Sequence, residues 1–166
     1  RYKEGRRASN VSLQHVRERI PEGAPLVEFV RFTPIATAEQ RAEKDLEGSQ
    51  LPPVYSALVI GPQKKELSLV RLGEAEKIDA LLRRYQKAME KGRPVFDLAK
   101  KLHGKLWRPI EATLDGKKQV ILSPAGRLNF LSFATLVGPK DRYLAETYRI
   151  GYVGSGRDLV RRVEKK

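Results

Sequence analysis

The chain has 166 residues, no cysteine and a formal net charge of +13. This length fits one domain, and a hydrophobic content of 40% is enough for a core. The lack of cysteine excludes disulfides, thiolate metal sites and a cysteine nucleophile within these residues. No apolar run reaches the roughly 18 residues of a membrane-spanning helix, so we expect no membrane partner and a cytoplasmic location. Because the chain begins at Arg1, we expect it to be a piece of a longer protein.

The residues that usually carry chemistry are sparse. The two histidines, His15 and His103, stand in no metal-ligand spacing, and the chain contains no phosphate-binding or nucleophile-elbow motif. His103 falls on a predicted helix face between Ala99 and Trp107, and we interpret both histidines as packed or surface residues. Ser155 lies between two glycines but has no identifiable base. We therefore predict no catalytic, metal-binding or cofactor-binding residue in this chain.

The positive charge leaves two interpretations open. Residues 77–108 hold ten Lys or Arg against three Asp or Glu, on two predicted helices. The basic surface would include Arg83, Arg84, Lys87, Lys100 and Lys101. Clustered cations favour nucleic-acid binding, but no aromatic-interleaved motif focuses these residues, so we favour a solvated surface.

The first half of the chain predicts an antiparallel meander. Residues 1–10 form a basic lead-in, and Ser9 or Asn10 would cap a helix that ends near Ile20. Runs rich in β-branched and aromatic residues then predict strands, separated by a long polar loop over residues 33–53 that is a candidate processing site or partner contact. The predicted ranges are a helix at 11–20 and strands at 26–32, 54–60 and 66–72.

The second half predicts two helices and further strands. Apolar residues spaced for one helical face run from Ile78 to Met89, and Gly92-Arg93-Pro94 ends that helix. The later elements are a helix at 94–107, an extension of it over 109–114, strands at 118–122 and 147–153, a helical turn at 143–146 and the start of a helix at 157–166. The predicted class is α/β with no second complete domain.

An ordered series of motifs resembles the CHAT domain. A helix that ends in a Trp-x-Pro pattern precedes a strand, the turn Pro124-Ala125-Gly126, an apolar stretch and an Arg-Tyr-Leu-x-Glu pattern. Ala125 stands where the family usually has Asp, and Ser132 where it usually has Pro, which loosens the match at the turn. The resemblance spans about residues 11–162. The residues that carry it are Trp107, Pro109, Pro124, Gly126, Leu128, Asn129, Phe133, Leu136, Tyr143, Leu144, Glu146 and Tyr148.

The resemblance implies the N-terminal half of a caspase-like fold, in a family whose members commonly follow tetratricopeptide repeats. Active members are cysteine endopeptidases whose His-Cys dyad lies beyond the strand that corresponds to residues 147–153. This chain is then a structural portion that is inactive alone. The alternatives are a non-catalytic scaffold that binds proteins and a basic nucleic-acid-binding domain. The edge strand 147–153 would pair with the missing C-terminal half or with a second copy.

Overall fold

The structure, a computed structural model, describes residues 11–37, 51–61 and 67–161. It contains one five-stranded sheet, with helices that cover mainly one of its faces. The strands are β1 (Leu26–Phe32), β2 (Val54–Ile60), β3 (Ser68–Glu74), β4 (Gln119–Ser123) and β5 (Arg149–Tyr152). The helices are α1 (Leu13–Arg17), α2 (Ala75–Glu90), α3 (Phe96–Leu102), a π-helical turn (His103–Trp107) and α4 (Arg108–Glu111).

The sheet has the strand order β3-β2-β1-β4-β5. The first three strands form the predicted antiparallel meander, in which Leu26 pairs with Ile60 and Leu58 with Leu69. Strand β4 pairs with β1 in parallel, and β5 pairs with β4 in parallel. The predicted α/β class is therefore confirmed. The parallel strands also place β1 at the centre of the sheet and β5 at one edge.

The main core lies between the first face of the sheet and the helices α2 to α4. The apolar face of α2 buries Ile78, Leu82 and Tyr85, as the helical spacing predicts. Met89, predicted on the same face, is 53% exposed, because it lies in the last turn of the helix, after Tyr85, the last buried residue of α2. Other fully buried members of this core are Tyr55, Leu102, Leu106, Trp107, Ile110, Leu122, Leu128, Phe133 and Leu136.

The predicted helix 94–107 is interrupted in the structure. It begins at Phe96, and its last turn is a π-helix in which the Arg108 N–H donates to the carbonyl of His103. Pro109 follows immediately and has no N–H for an ordinary helical bond. The wider turn just ahead of the proline lets the chain continue as helix α4, and the predicted helical extension ends in a short 3-10 turn at Ala112–Leu114.

The second face of the sheet has a much thinner cover. Helix α1 is only five residues long and the 3-10 turn Gly156–Leu159 only four, and these two segments pack against Leu26 and Ile60. Val16 and Ile20 complete this small cluster.

Several element boundaries differ from the predicted ones. The first helix is Leu13–Arg17 rather than 11–20, because Ser12 caps it with its hydroxyl and Pro21 stops the chain soon after. Strands β3, β4 and β5 begin one or two residues later than predicted. The predicted caps Ser9 and Asn10, the basic lead-in 1–10, most of the loop 33–53 and the end of the helix predicted at 157–166 lie outside the described residues.

Candidate functional site at the carboxyl ends of the parallel strands

The carboxyl ends of the three parallel strands β1, β4 and β5 lie along one side of the sheet, which we call the carboxyl edge. Ligands of α/β sheets usually bind beyond the carboxyl ends of such strands, so this edge is where a site is expected. After β4 the chain passes through residues 124–136, which pack into the main core. After β5 it passes through residues 153–160, which pack on the second face.

A buried tyrosine ties this edge to helix α2. The Tyr55 hydroxyl donates to Asp79 Oδ1 over 3.0 Å and accepts from the backbone N–H of Arg127 over 3.2 Å. Burial, and after it the hydrogen bond to Asp79, raises the pKa of Tyr55, so the hydroxyl stays protonated and can keep both bonds. Since Tyr55 and Asp79 are both buried, this network holds the turn after β4 in place.

Gly126 makes that turn possible. Its φ of +56° lies in the left-handed region, which costs a residue with a side chain about 1–2 kcal/mol. A Cβ atom at Gly126 would also lie only 2.7 Å from the Tyr55 hydroxyl oxygen. The predicted Pro124-Ala125-Gly126 turn is therefore a close backbone approach to the tyrosine network, and the absence of a side chain at Gly126 permits it.

The carboxyl end of β5 is fixed by similar bonds. The Tyr152 hydroxyl accepts from the backbone N–H of Phe133 over 3.0 Å, and Ser123 Oγ donates to the carbonyl of Gly154 over 3.1 Å. Burial raises the pKa of Tyr152, and the hydrogen bonds from backbone N–H groups offset only part of that rise. The Phe133 ring lies 5.0 Å from that of Phe29. Each loop is thus bonded to the neighbouring strand: the loop after β4 to Tyr152 of β5, and the loop after β5 to Ser123 of β4.

Two aromatic residues of the predicted motif series meet at the amino end of β5, opposite the carboxyl edge. The rings of Trp107 and Tyr148 pack edge to face, with centroids 4.8 Å apart. Tyr148 donates its hydroxyl hydrogen to Glu111 Oε1 over 2.7 Å. Burial and this hydrogen bond raise the pKa of Tyr148 to about 12. The motifs around residues 107 and 148 are therefore joined by packing and by a hydrogen bond.

The remaining motif residues divide into buried and exposed groups. Leu128, Leu136 and Leu144 are buried, and the Leu144 N–H donates to the carbonyl of Leu136. Local bonds order the exposed ones: Asn129 Nδ2 donates to the carbonyl of Gly126, and Glu146 Oε1 accepts from the N–H of Tyr143. Pro109 and Pro124 are half-buried.

The histidines and Ser155 occupy places that suit structural roles. His103 is buried, and its burial lowers the pKa of the imidazole, an effect that Glu111 opposes and Arg108 reinforces. His15 lies in helix α1, where Nδ1 accepts from the backbone N–H of Ser12. Ser155 begins the 3-10 turn after β5, and its N–H donates to Asp158 Oδ2 over 2.8 Å. Ser155 also lines a groove on the second face of the sheet, and neither histidine is among the residues that line this groove.

Ion pairs partly neutralise the predicted basic surface. Arg83 contacts Glu76 over 2.6 Å, and Lys100 contacts Asp141 over 2.5 Å. Lys100 also lies over the Phe96 ring. Arg84, Lys87 and Lys101 are exposed.

Residues 11–37, 51–61 and 67–161 contain no group of three or more His, Cys, Asp or Glu residues placed to hold a metal ion. None of the helices in this part of the chain is long and apolar enough to cross a membrane.

Sequence reasoning missed three residues with a clear place in this arrangement. Tyr55 and Asp79 form the buried network at the turn, and Glu28 lies within the otherwise apolar strand β1. The two acids could have been found because each is a charged residue in an apolar context. Glu28 interrupts the apolar pattern of a strand, and Asp79 follows Ile78 on the inner side of α2. Their partners depend on tertiary contacts 24 or more residues away in sequence, which no local pattern indicates.

Comparison with known proteins supports the motif series. The family model of the CHAT domain matches residues 97–166. This range contains Trp107, the turn at Gly126 and Tyr148. The chain matches no curated protein. The resemblance predicted for residues 11–96 stays a prediction, whereas the C-terminal part of the chain, residues 97–166, is confirmed as similar to the CHAT domain.

Proposed function

We propose that this chain is the N-terminal structural portion of a caspase-like CHAT domain and that it cleaves no peptide bond on its own. The observation that carries the proposal is the CHAT match over residues 97–166, in a chain that has no cysteine for the nucleophile of such peptidases. The place of His103 supports it, since this histidine is packed in the core rather than presented at the strand ends.

A cleavage assay tests the first part. The purified chain is incubated with unfolded casein and with a mixture of short peptides, and the products are measured by mass spectrometry. We expect no cleavage above the level of a heat-inactivated sample. A cleavage activity that cuts at a defined site and co-purifies with the folded chain would contradict the proposal.

The edge strand β5 is the part of this chain that a companion would complete. The N–H groups of Arg149 and Val153 donate to β4, so those of Ile150 and Tyr152 point away from it. Arg149, Gly151 and Tyr152 are exposed, and within the described residues β5 pairs only with β4. We propose that this edge pairs with the missing C-terminal half of the domain or, in this chain alone, with a second copy.

Ile150→Pro tests this pairing, because proline removes the outward N–H. Ile150→Ala is the matched control, since it removes the same apolar side chain and keeps the N–H. We expect light scattering at high concentration to show dimers for the wild type and for Ile150→Ala, and monomers for Ile150→Pro. A wild type that stays monomeric would contradict pairing with a second copy.

A scaffold module that binds proteins without cleaving is the alternative from another class. The CHAT match is compatible with both, because the residues that would separate them lie outside this chain. Nucleic-acid binding has less support, since Arg83 and Lys100 of the basic surface are already paired with carboxylates.

A further inference from the structure

The groove on the second face of the sheet, which Ser155 also lines, contains none of the residues of the motif series. Its volume is about 360 Å³, and it lies between helix α1 and the turn after β5. Leu58, Ile60 and Glu28 form its floor, Val16 belongs to one wall and Gly156 and Arg157 to the other. This volume falls in the range of about 300–1,000 Å³ that is typical of small-ligand pockets.

Glu28 is the unusual member of this floor. It is half-buried on the central strand, next to Leu58 on one side and Ser123 on the other. The only hydrogen bond that the described residues give its carboxylate comes from the Gly156 N–H at the long distance of 3.5 Å. None of the described cations, including the neighbouring Arg157, lies within the 4.0 Å of an ion pair. A carboxylate in such a place favours a cation, because partial burial weakens its hydration.

The groove around Glu28 is partly open, and its apolar members lie beside Ser12, Ser155 and Arg157. Leu13 at the rim is 43% exposed, and Leu69, which pairs with Leu58, is 64% exposed on the neighbouring edge strand. The apolar floor therefore continues from the groove toward the edge of the sheet. Adjacent exposed apolar side chains of this kind are typical of surfaces that bind other proteins.

From this arrangement we propose that the groove binds a peptide segment with a lysine or arginine between apolar residues. The basic side chain pairs with Glu28, and its apolar neighbours cover Leu58, Ile60 and Val16. Arg157 at the rim is free to donate to a carbonyl of the bound segment. An acidic segment is disfavoured, because it would place a like charge against Glu28. This inference does not depend on the proposed function, since it rests only on described residues that line the groove.

A titration followed by NMR tests the inference on the full 166-residue chain. The probe is acetyl-Leu-Lys-Leu-amide, compared with peptides that carry norleucine or glutamate in place of the lysine. We expect the lysine peptide to shift the amide signals of Glu28, Leu58, Ile60 and Gly156 and to bind about ten-fold more tightly than the norleucine peptide. We expect the glutamate peptide to bind more weakly still.

Glu28→Gln is the matching variant, and Glu22→Gln is its control, because Glu22 is an exposed acid away from the groove. We expect Glu28→Gln to remove the preference for lysine over norleucine and Glu22→Gln to leave it unchanged. Should Glu28→Gln fail to fold, the peptide series on the wild type still decides the matter. Equal binding of the three peptides, no binding of any of them, or shifts outside the groove would overturn the proposal. Concentration-dependent shifts of the groove residues without peptide would also overturn it, because they would identify a second copy as the occupant.

Discussion

The two faces of the sheet are covered by hydrophobic cores of different size. The first face buries a continuous core under helices α2, α3 and α4, and the hydroxyls of Tyr55 and Tyr152 accept hydrogen bonds from the loop after β4. The second face has a four-residue cluster under one short helix and one 3-10 turn, and it keeps an open groove beside a carboxylate. One sheet thus carries a face that stabilises the fold and a face that is available for contacts. The stabilising core and the proposed binding groove thus lie on opposite sides of the same strands.

Removal of one leucine from each face should show the largest contrast. Leu122 on the first face and Leu26 on the second are both fully buried, and they lie on paired strands. We expect Leu122→Ala to lower the free energy of unfolding by about 4–5 kcal/mol and Leu26→Ala by about 2–3 kcal/mol. The thin cover over Leu26 can move into the space, whereas the helices over Leu122 cannot. Urea unfolding followed by circular dichroism measures both values, and equal losses would break the comparison.

The turn on the first face offers a second test, of intermediate size. We expect Gly126→Ala to lower the free energy of unfolding by about 2–4 kcal/mol, because it adds left-handed strain and a contact with the Tyr55 hydroxyl. Gly116→Ala is the control, since Gly116 also has a positive φ, +72°, but nothing lies within 4 Å of its added Cβ. We expect about 1–2 kcal/mol for the control, from strain alone. Thermal unfolding of both variants gives the difference, and similar values would show that Tyr55 moves aside easily.

The smallest expected effect on the free energy of unfolding comes from the buried histidine, His103. Because burial lowers the pKa of His103, the unfolded chain binds a proton more readily than the folded one as the pH falls through about 6.5. The contribution of neutral His103 to the free energy of unfolding is therefore complete above that pH. It is lost toward lower pH, by at most about 1.4 kcal/mol per pH unit. We expect His103→Gln to flatten the dependence of the unfolding free energy on pH between pH 7.5 and 5. An unchanged slope in His103→Gln would show that the burial of His103 does not set this pH dependence.

Local chemistry allowed much of the fold to be predicted. Strands β1 and β2 have the predicted bounds, because β-branched and aromatic residues fill them and proline or glycine flanks them. The apolar stretch after β4 contains two adjacent apolar residues, Phe130 and Leu131, and the local pattern does not distinguish which of them enters the core. The structure buries Leu131 and leaves Phe130 73% exposed. In a short 3-10 turn, adjacent residues point in different directions, and only the tertiary packing decides which one is buried.

Other features depend on contacts that no local pattern contains. The π-helical turn before Pro109 arises where the proline would break the helix while the buried residues on both sides keep it in the core. The Tyr55–Asp79 bond joins a strand to a helix, and the groove at Glu28 forms only when α1 and the turn after β5 reach the same face. The turn Pro124-Ala125-Gly126 was predicted as one of the motifs that resemble the CHAT domain, not as a site. Its tyrosine network and the groove required the folded chain.

The central place of strand β1 has a consequence for how the chain folds during synthesis. Its antiparallel partner β2 ends at Ile60, but its parallel partner β4 begins only at Gln119. At a translation rate of about 5–20 residues per second, one edge of β1 waits roughly 4–17 seconds after Phe32 is made. During that time an apolar strand has an unpaired edge and an uncovered face, which are the features that promote association between nascent chains. The order of the strands thus makes the arrival of β4 the step that ends the most aggregation-prone stage of synthesis.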